Sequence, residues 1–110
     1  MYEDRVVLCA ANSYEEKYYL NPDFDELPDE VKDELKIMCV LYVHDVGGIL
    51  TLVYDGEGEL QFEVMAEEFD PMFDDIGSRL LIKKLRTEKA GLLEALQMYF
   101  KVFFLGEELE

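Results

Sequence analysis

Residues 92–105 are apolar on most of a helical circumference. The strongly polar residues of this segment are Glu94, Gln97 and Lys101, and their spacing places them on one narrow strip of a helix. A helix that lies on one face of a sheet needs an apolar arc of only a little over about 100°. This segment therefore needs a further covering layer, which is the core of its own chain, a second copy of the chain, or a different partner protein.

We predict that this segment ends a long helix over residues 74–104. The apolar positions that repeat at helical spacing are Leu81, Leu85, Leu92, Leu96, Tyr99 and Phe103. A helix of about 30 residues would be roughly 45 Å long, whereas a compact domain of this size is about 35 Å across. The helix therefore either breaks, with Gly91 as a soft point, or extends beyond its own domain.

We interpret the end of this helix as the interface of a homodimer. The candidate interface residues are Leu92, Leu96, Tyr99, Phe100, Phe103 and Phe104. A glutamate at position 100 or 103 is then expected to dissociate or unfold the protein, because burying an unpaired carboxylate costs several kcal/mol.

The rest of the chain alternates between strands and one further helix. Residues 6–10 and 17–20 are rich in strand-forming residues and are expected to pair as a hairpin. A helix begins at Pro28 and ends at Gly47 and Gly48. Residues 49–54 and 59–65 flank Asp55-Gly56-Glu57-Gly58, which is typical of a hairpin turn.

The element order β-β-α-β-β-α predicts an α+β fold, with one antiparallel sheet of about four strands in two hairpins and two helices. The length of 110 residues is that of one domain, so we predict a single acidic domain over residues 1–110. Residues 49–54 are apolar at both odd and even positions, which point to opposite faces of a strand. We therefore expect both faces of that strand to be covered.

The charge excludes several kinds of partner. The chain has 26 acidic and 10 basic residues, a net charge of −16, and is repelled by nucleic acids and by anionic lipid surfaces. The N-terminus has acidic residues where a secretory signal needs basic ones. The longest apolar run, residues 37–43, is too short to span a membrane. We therefore predict a cytoplasmic protein with no nucleic-acid or membrane partner.

The chain has few groups suited to catalysis. It contains one histidine, two cysteines and no tryptophan, and it shows no phosphate loop, nucleophile elbow or zinc motif. We expect His44 to be a helix-end or surface residue, and Cys9 and Cys39 to be reduced core thiols. We predict no catalytic residue, no cofactor and no enzymatic activity, and a protein that acts through contacts with itself or with another protein.

Two other functions stay open. The chain is alternatively a module for a small ligand or a divalent metal, using its acidic loops or a pocket lined by tyrosines. The loops contain Asp23, Asp25, Glu26, Glu67, Glu68, Asp70, Asp74 and Asp75, and the tyrosines are Tyr14, Tyr18 and Tyr19. A third interpretation is an acidic decoy for a DNA-binding protein. The stretch that begins at Asp55 lacks the sixth-position glycine and twelfth-position glutamate of a calcium loop.

Several segments carry a resemblance over nearly the whole chain. They are YEEKYY at 14–19, LP at 27–28 leading to IMCVL at 37–41, VGGILTL at 46–52, and DIG at 75–77 through MY at 98–99. In these segments the chain resembles an uncharacterised family of small acidic bacterial proteins. The resemblance implies a bacterial, single-domain, cytosolic protein, and it implies no activity and no site residue.

Overall fold

The structure is a computed structural model that describes residues 5–106. The elements, in chain order, are β1 (Val6–Asn12), β2 (Lys17–Leu20), a 3₁₀ turn (Pro22–Phe24), α1 (Asp29–Val46), β3 (Ile49–Tyr54), β4 (Leu60–Met65), α2 (Asp75–Glu88) and α3 (Ala90–Phe103). The strands form one antiparallel sheet in the order β2-β1-β3-β4. The predicted α+β class and four-stranded antiparallel sheet are confirmed. The predicted order β-β-α-β-β-α and the predicted two helices are wrong, because the described part of the chain has three α-helices and ends with two of them in succession.

The expected long helix breaks at Lys89, which separates α2 from α3. The backbone of Lys89 leaves the helical region, with φ −108° and ψ 22°. In a straight helix Leu92 would lie almost in line with Leu85, and Leu93 would lie about 80° away. The structure buries Leu85 and Leu93 and leaves Leu92 half-buried. The break therefore turns the inward stripe of α3 toward the core, two residues before the expected soft point at Gly91.

The core lies between one face of the sheet and the helices. A β-bulge between Val7 and Cys9 shifts the register of β1 against β3, and both Leu8 and Cys9 are fully buried. The other buried members of this cluster come from all three helices and from β1, β3 and β4, and the largest of them are Phe24, Leu35, Tyr42, Leu50, Leu52, Tyr54, Leu60, Leu96 and Phe100. The helices thus share a single core.

The opposite face of β3 lies outside that core. Val53 is 2% exposed although it does not belong to the core cluster, and Thr51 on the same face is half-buried. Arg5 beside β1 and Glu63 on β4 form an ion pair that spans β3, which lies between those strands. On this side Val53 lies in register between Val7 of β1 and Gln61 of β4. The expected cover on both faces of β3 therefore comes here from residues of the neighbouring strands and not from the core cluster.

Turn and cap residues lie at the positions that the sequence predicted or one position away. Pro28 lies immediately before the first helical residue of α1, whereas the sequence predicted Pro28 itself as the first helical residue. Gly47 follows the last residue of α1 and has φ 81°. Asp55 Oδ1 accepts hydrogen bonds from the backbone N–H groups of Glu57 and Glu59 at 2.9 and 3.0 Å. The interpretation of this segment as a hairpin turn is therefore confirmed. Across residues 5–106, every helix is too short or too polar to cross a membrane.

Candidate interaction surfaces

The structure divides the six predicted interface residues between the core and the surface. Leu96 is 0% exposed and Phe100 is 1% exposed, so both belong to the core of the monomer. Phe103 is 70% exposed and Phe104 is 40% exposed, whereas Leu92 and Tyr99 are half-buried. A glutamate at position 100 would therefore disrupt the monomer itself, so of these two substitutions the glutamate at position 103 is the one that tests the interface.

An aromatic cluster anchors α3 to the sheet and to the 3₁₀ turn. The ring of Phe100 stacks on that of Tyr54 with a centroid distance of 4.1 Å, and the ring of Phe24 lies 5.5 Å from that of Tyr54. Phe104 stacks on Phe24 at 4.8 Å. The Tyr54 hydroxyl also donates a hydrogen bond of 2.8 Å to the backbone carbonyl of Leu96. The stacked rings and the Tyr54 hydrogen bond together orient α3 against the sheet.

One flank of α3 is a continuous apolar surface. At about 100° per residue, its apolar side chains beside the buried stripe cover an arc of roughly 140°. We call this flank the α3 surface, and its residues are Leu92, Ala95, Met98, Tyr99, Val102 and Phe103. Met98, which is 53% exposed, was not among the predicted interface residues. The sequence could not separate it from the core positions, because nearly every side of this helix is apolar.

A groove with an apolar floor and an acidic rim runs between α1 and α2. Its cavity volume is about 550 Å³. Its floor contains the buried side chains of Met38, Tyr42 and Leu85. Ile37 and Leu41 of α1 line its outer part and are 59% and 55% exposed. The rim contains four carboxylates of α1, which are Glu30, Asp33, Glu34 and Asp45. We call this feature the α1–α2 groove.

Sequence reasoning missed this groove for a definite reason. Ile37 and Leu41 are as apolar as Met38, Cys39 and Tyr42, which are the buried residues of that part of α1. Apolar character therefore gave no reason to place the first two on the surface. Glu30, Asp33 and Glu34 precede Ile37 and Leu41 at helical spacing. That alternation of carboxylates with apolar residues on one helix face was the available signal.

A second cavity, of about 470 Å³, lies between the β1–β2 hairpin and α1, and we call it the hairpin cavity. Tyr18 lines it, with the Nζ of Lys36 lying 6.0 Å from the centre of the Tyr18 ring. Burial raises the pKa of the Tyr18 hydroxyl, which has no hydrogen-bond partner among the described residues. Lys17, His44 and the carboxylate of Glu16 also line this cavity. Its walls therefore contain several basic side chains in a strongly acidic protein.

The three tyrosines of the predicted pocket do not come together. The Tyr14 hydroxyl donates a hydrogen bond of 2.5 Å to Asp70 Oδ2 and accepts one of 3.0 Å from the backbone N–H of Glu67. Tyr19 lies on the sheet surface and is 52% exposed. Tyr14 thus fastens the 67–70 loop to the β1–β2 hairpin, whereas Tyr18 lines the hairpin cavity.

Several carboxylates of the acidic loops bind backbone groups of their own turns. Asp74 Oδ1 accepts the N–H of Gly77 at 2.8 Å and caps α2. Asp70 Oδ1 accepts the N–H of Met72 at 2.8 Å. The hydrogen bond from Tyr14 and that backbone bond lower the pKa of Asp70. Within residues 5–106, no three histidine, cysteine, aspartate or glutamate side chains converge in a way that could hold a metal ion.

Comparison with known proteins gives the chain a family. No curated protein and no solved structure matches it. A family model, described as a family of unknown function, matches residues 5–108. The predicted resemblance to an uncharacterised family is thus confirmed. Because the match spans nearly the whole chain, the protein belongs to the DUF6145 family of unknown function.

Proposed function

We propose that the protein acts without catalysis, through contacts with other proteins, and that it forms a homodimer through the α3 surface. The observation that supports this most directly is the exposure of Phe103 and Met98, at 70% and 53%, on a helix fixed in place by the aromatic cluster. Burying one large apolar side chain gains about 1.5–3 kcal/mol. In a two-fold dimer each such residue is buried in both copies, because both copies contribute the same surface.

The charge distribution also favours α3 as the place where two copies meet. Residues 1–78 contain 21 acidic and 4 basic residues, a net charge of −17, so these parts of two copies repel each other. The charged residues of α3 are Glu94 and Lys101. In an antiparallel pair of α3 helices centred on Met98, Glu94 of each copy lies close to Lys101 of the other. Lys101 also pairs with Glu59 of its own chain at 3.2 Å, so in the dimer it would lie between two carboxylates.

The placement of the reactive side chains supports a role without catalysis. His44 is exposed in the last turn of α1, and Cys9 and Cys39 are fully buried. A nucleophile needs a neighbouring base and access to its substrate. These three side chains lack that combination of base and access within the described part of the chain.

Sedimentation or light scattering tests the homodimer. We expect the native chain to have twice the mass of 12.8 kDa, and we expect Phe103→Glu and Met98→Glu to be monomers, because each introduces a carboxylate into the apolar contact. Leu80→Glu on α2 is the matched control, since Leu80 is 64% exposed and the change in charge is the same. A single 12.8 kDa species at all concentrations would overturn the proposal, as would equal dissociation by Leu80→Glu.

The salt dependence of the dimer provides a second test. Two copies with a net charge of −16 repel each other at long range. Salt screens this repulsion at distances beyond about 10 Å at 0.1 M and beyond about 3 Å at 1 M. We therefore expect dimerisation to strengthen as the salt concentration rises. Weakening by salt would show that ion pairs, and not the α3 surface, hold the two copies together.

The hairpin cavity supports a second candidate function, the binding of a small anionic ligand. Lys17, Lys36 and His44 line it together with one carboxylate, Glu16. Because basic side chains outnumber that carboxylate, the cavity favours anions over the divalent cations that the acidic loops suggested. A thermal shift with inorganic phosphate and citrate, and separately with Ca²⁺, Mg²⁺ and Mn²⁺, tests this candidate, because a ligand that prefers the folded state raises the melting temperature. Lys36→Ala should abolish a shift caused by anions, and a shift caused only by the cations would reject this candidate.

A further inference from the structure

We propose that the α1–α2 groove binds a basic amphipathic helix of another protein. The groove combines an apolar lining, in which Ile37 and Leu41 are more than half exposed, with carboxylates along its α1 rim. Helix-in-groove recognition uses this combination: the apolar face of the ligand helix fills the groove, and charged residues beside that face contact the rim. This site is separate from the α3 surface and does not depend on the proposed homodimer.

The dimensions of the groove define the length of its ligand. The carboxylates of the rim extend from Glu30 to Asp45 along α1, which is roughly 22 Å at about 1.5 Å per residue. Leu81 and Leu85 of α2 form the opposite wall over two successive turns. A helix of about four turns, with apolar residues spaced three and four positions apart, therefore fits between the two walls.

The charge of the rim defines the chemistry of the ligand. The four rim carboxylates face one lysine of the groove lining, Lys89, whose Nζ lies 3.8 Å from Glu34 Oε2. Within residues 5–106, Glu30, Asp33 and Asp45 have no basic partner, so they can pair with cations of a ligand. The net charge of −16 also attracts a basic partner at long range and speeds its association.

The same observations argue against a second copy as the occupant. The basic helix of this chain, α2, has Ile76 and Leu80 as its large exposed apolar residues, one turn apart near its N-terminus. Two of its basic residues pair within their own helix, Arg79 with Asp75 at 3.0 Å and Lys84 with Glu88 at 3.9 Å. A second copy also has the same strongly negative charge. A partner with a longer apolar stripe and a positive charge matches the groove better.

A designed peptide tests the proposal. The probe is a fluorescein-labelled peptide of about 18 residues, roughly 27 Å of helix, with leucines on one face and lysines on the others. Its control has the same composition in an order that places the leucines on all sides. We expect the amphipathic peptide to bind the full chain at least about tenfold more tightly than the control peptide, a difference of about 1.4 kcal/mol. Binding should weaken with salt, which is the opposite of the dependence expected for the homodimer.

Substitutions in the chain locate the binding site. We expect Ile37→Ser combined with Leu41→Ser to weaken peptide binding about tenfold, and Asp33→Asn with Asp45→Asn to reduce its dependence on salt. Both pairs lie on exposed positions, so circular dichroism should show an unchanged fold. Met98→Ser on the α3 surface is the matched control and should bind the peptide like the native chain.

Three results would overturn the proposal. Equal binding of both peptides would show a general attraction between an acidic protein and lysines. Native-like binding by the Ile37→Ser, Leu41→Ser variant would place the peptide elsewhere, and amide chemical shifts of the complex would show where. If that variant instead changed the mass of the protein alone in solution, a second copy of the chain would be the occupant of the groove.

Discussion

The Sγ atoms of Cys9 and Cys39 lie 3.8 Å apart in the core, where they join β1 to α1. Both side chains are fully buried free thiols, as the sequence predicted. The hydrogen-bond contact with Cys9 is the larger cause that raises the pKa of the Cys39 thiol, and burial is the second. Because the thiolate is the reactive form and needs access to the reagent, this pair is inert in the folded protein.

We expect neither thiol to react with Ellman's reagent in the native protein, and both to react once guanidinium unfolds it. The measurement is the absorbance of the released thionitrobenzoate against time. A Lys17→Cys variant provides the control, because position 17 is exposed and its new thiol should react at once. Native thiols that react as fast as this control would contradict the burial of the pair.

Alkaline pH should destabilise the fold through its buried tyrosines. Burial raises the pKa of Tyr54 and of Tyr42, whose side chains are 0% and 1% exposed. Unfolded tyrosines lose their proton near pH ~10, so above that pH the native state binds more protons than the unfolded state. The free energy of unfolding is therefore unaffected by these groups below pH ~10 and falls as the pH rises toward their folded values.

Urea unfolding at a series of pH values from ~8 to ~11 measures this fall. The control is Tyr54→Phe, which removes one titrating hydroxyl together with its hydrogen bond to Leu96. We expect this variant to lose about 1 kcal/mol at neutral pH and to show a shallower decline above pH ~10. A decline as steep as that of the native chain would show that Tyr54 does not contribute to it.

The hydroxyls of Tyr42 and Ser78 form a buried hydrogen bond between α1 and α2. Ser78 is a polar residue that is nevertheless buried, with 3% of its surface exposed. We expect Tyr42→Phe and Ser78→Ala each to lower the free energy of unfolding by about 1–2 kcal/mol, because each leaves the other hydroxyl without its partner. The double variant should lose less than the sum of the two, measured by urea unfolding. Strict additivity would show that the two hydroxyls do not interact.

Two glycines should respond in opposite directions to alanine. Gly48 has φ 76°, and a Cβ there would lie 2.8 Å from the carbonyl oxygen of Met65 and 3.0 Å from the ring of Phe73. Gly91 is helical, and a Cβ there would meet no described atom within 4 Å. We expect Gly48→Ala to lower the free energy of unfolding by about 2–3 kcal/mol and Gly91→Ala to raise it by about 0.5–1 kcal/mol. Thermal or urea unfolding measures both, and changes of the same sign would refute the assignment.

The candidate sites were only partly predictable, because exposure depends on how the helices are turned. The apolar excess of α3 was visible in the sequence, but Leu96 and Phe100 proved to be core residues, and Met98 joined the exposed flank. The α1–α2 groove required two helices to lie side by side, which periodicity within a single helix cannot reveal. The role of the Tyr14 side chain depends on its hydrogen bond with Asp70, which is far away in the sequence, so local sequence signals could not predict it.

Local signals in the sequence alone determined the strands, the hairpin turn at Asp55 and the end of α1 at Gly47, because turn and cap residues act over a few positions. The acidic character of the protein was also determined at that level. The tertiary structure decided the break at Lys89, which no strong local signal marks. Burying Leu85, Leu93 and Leu96 in one core requires α3 to turn relative to α2, and packing of this kind outweighs the small energy that favours a continuous helix.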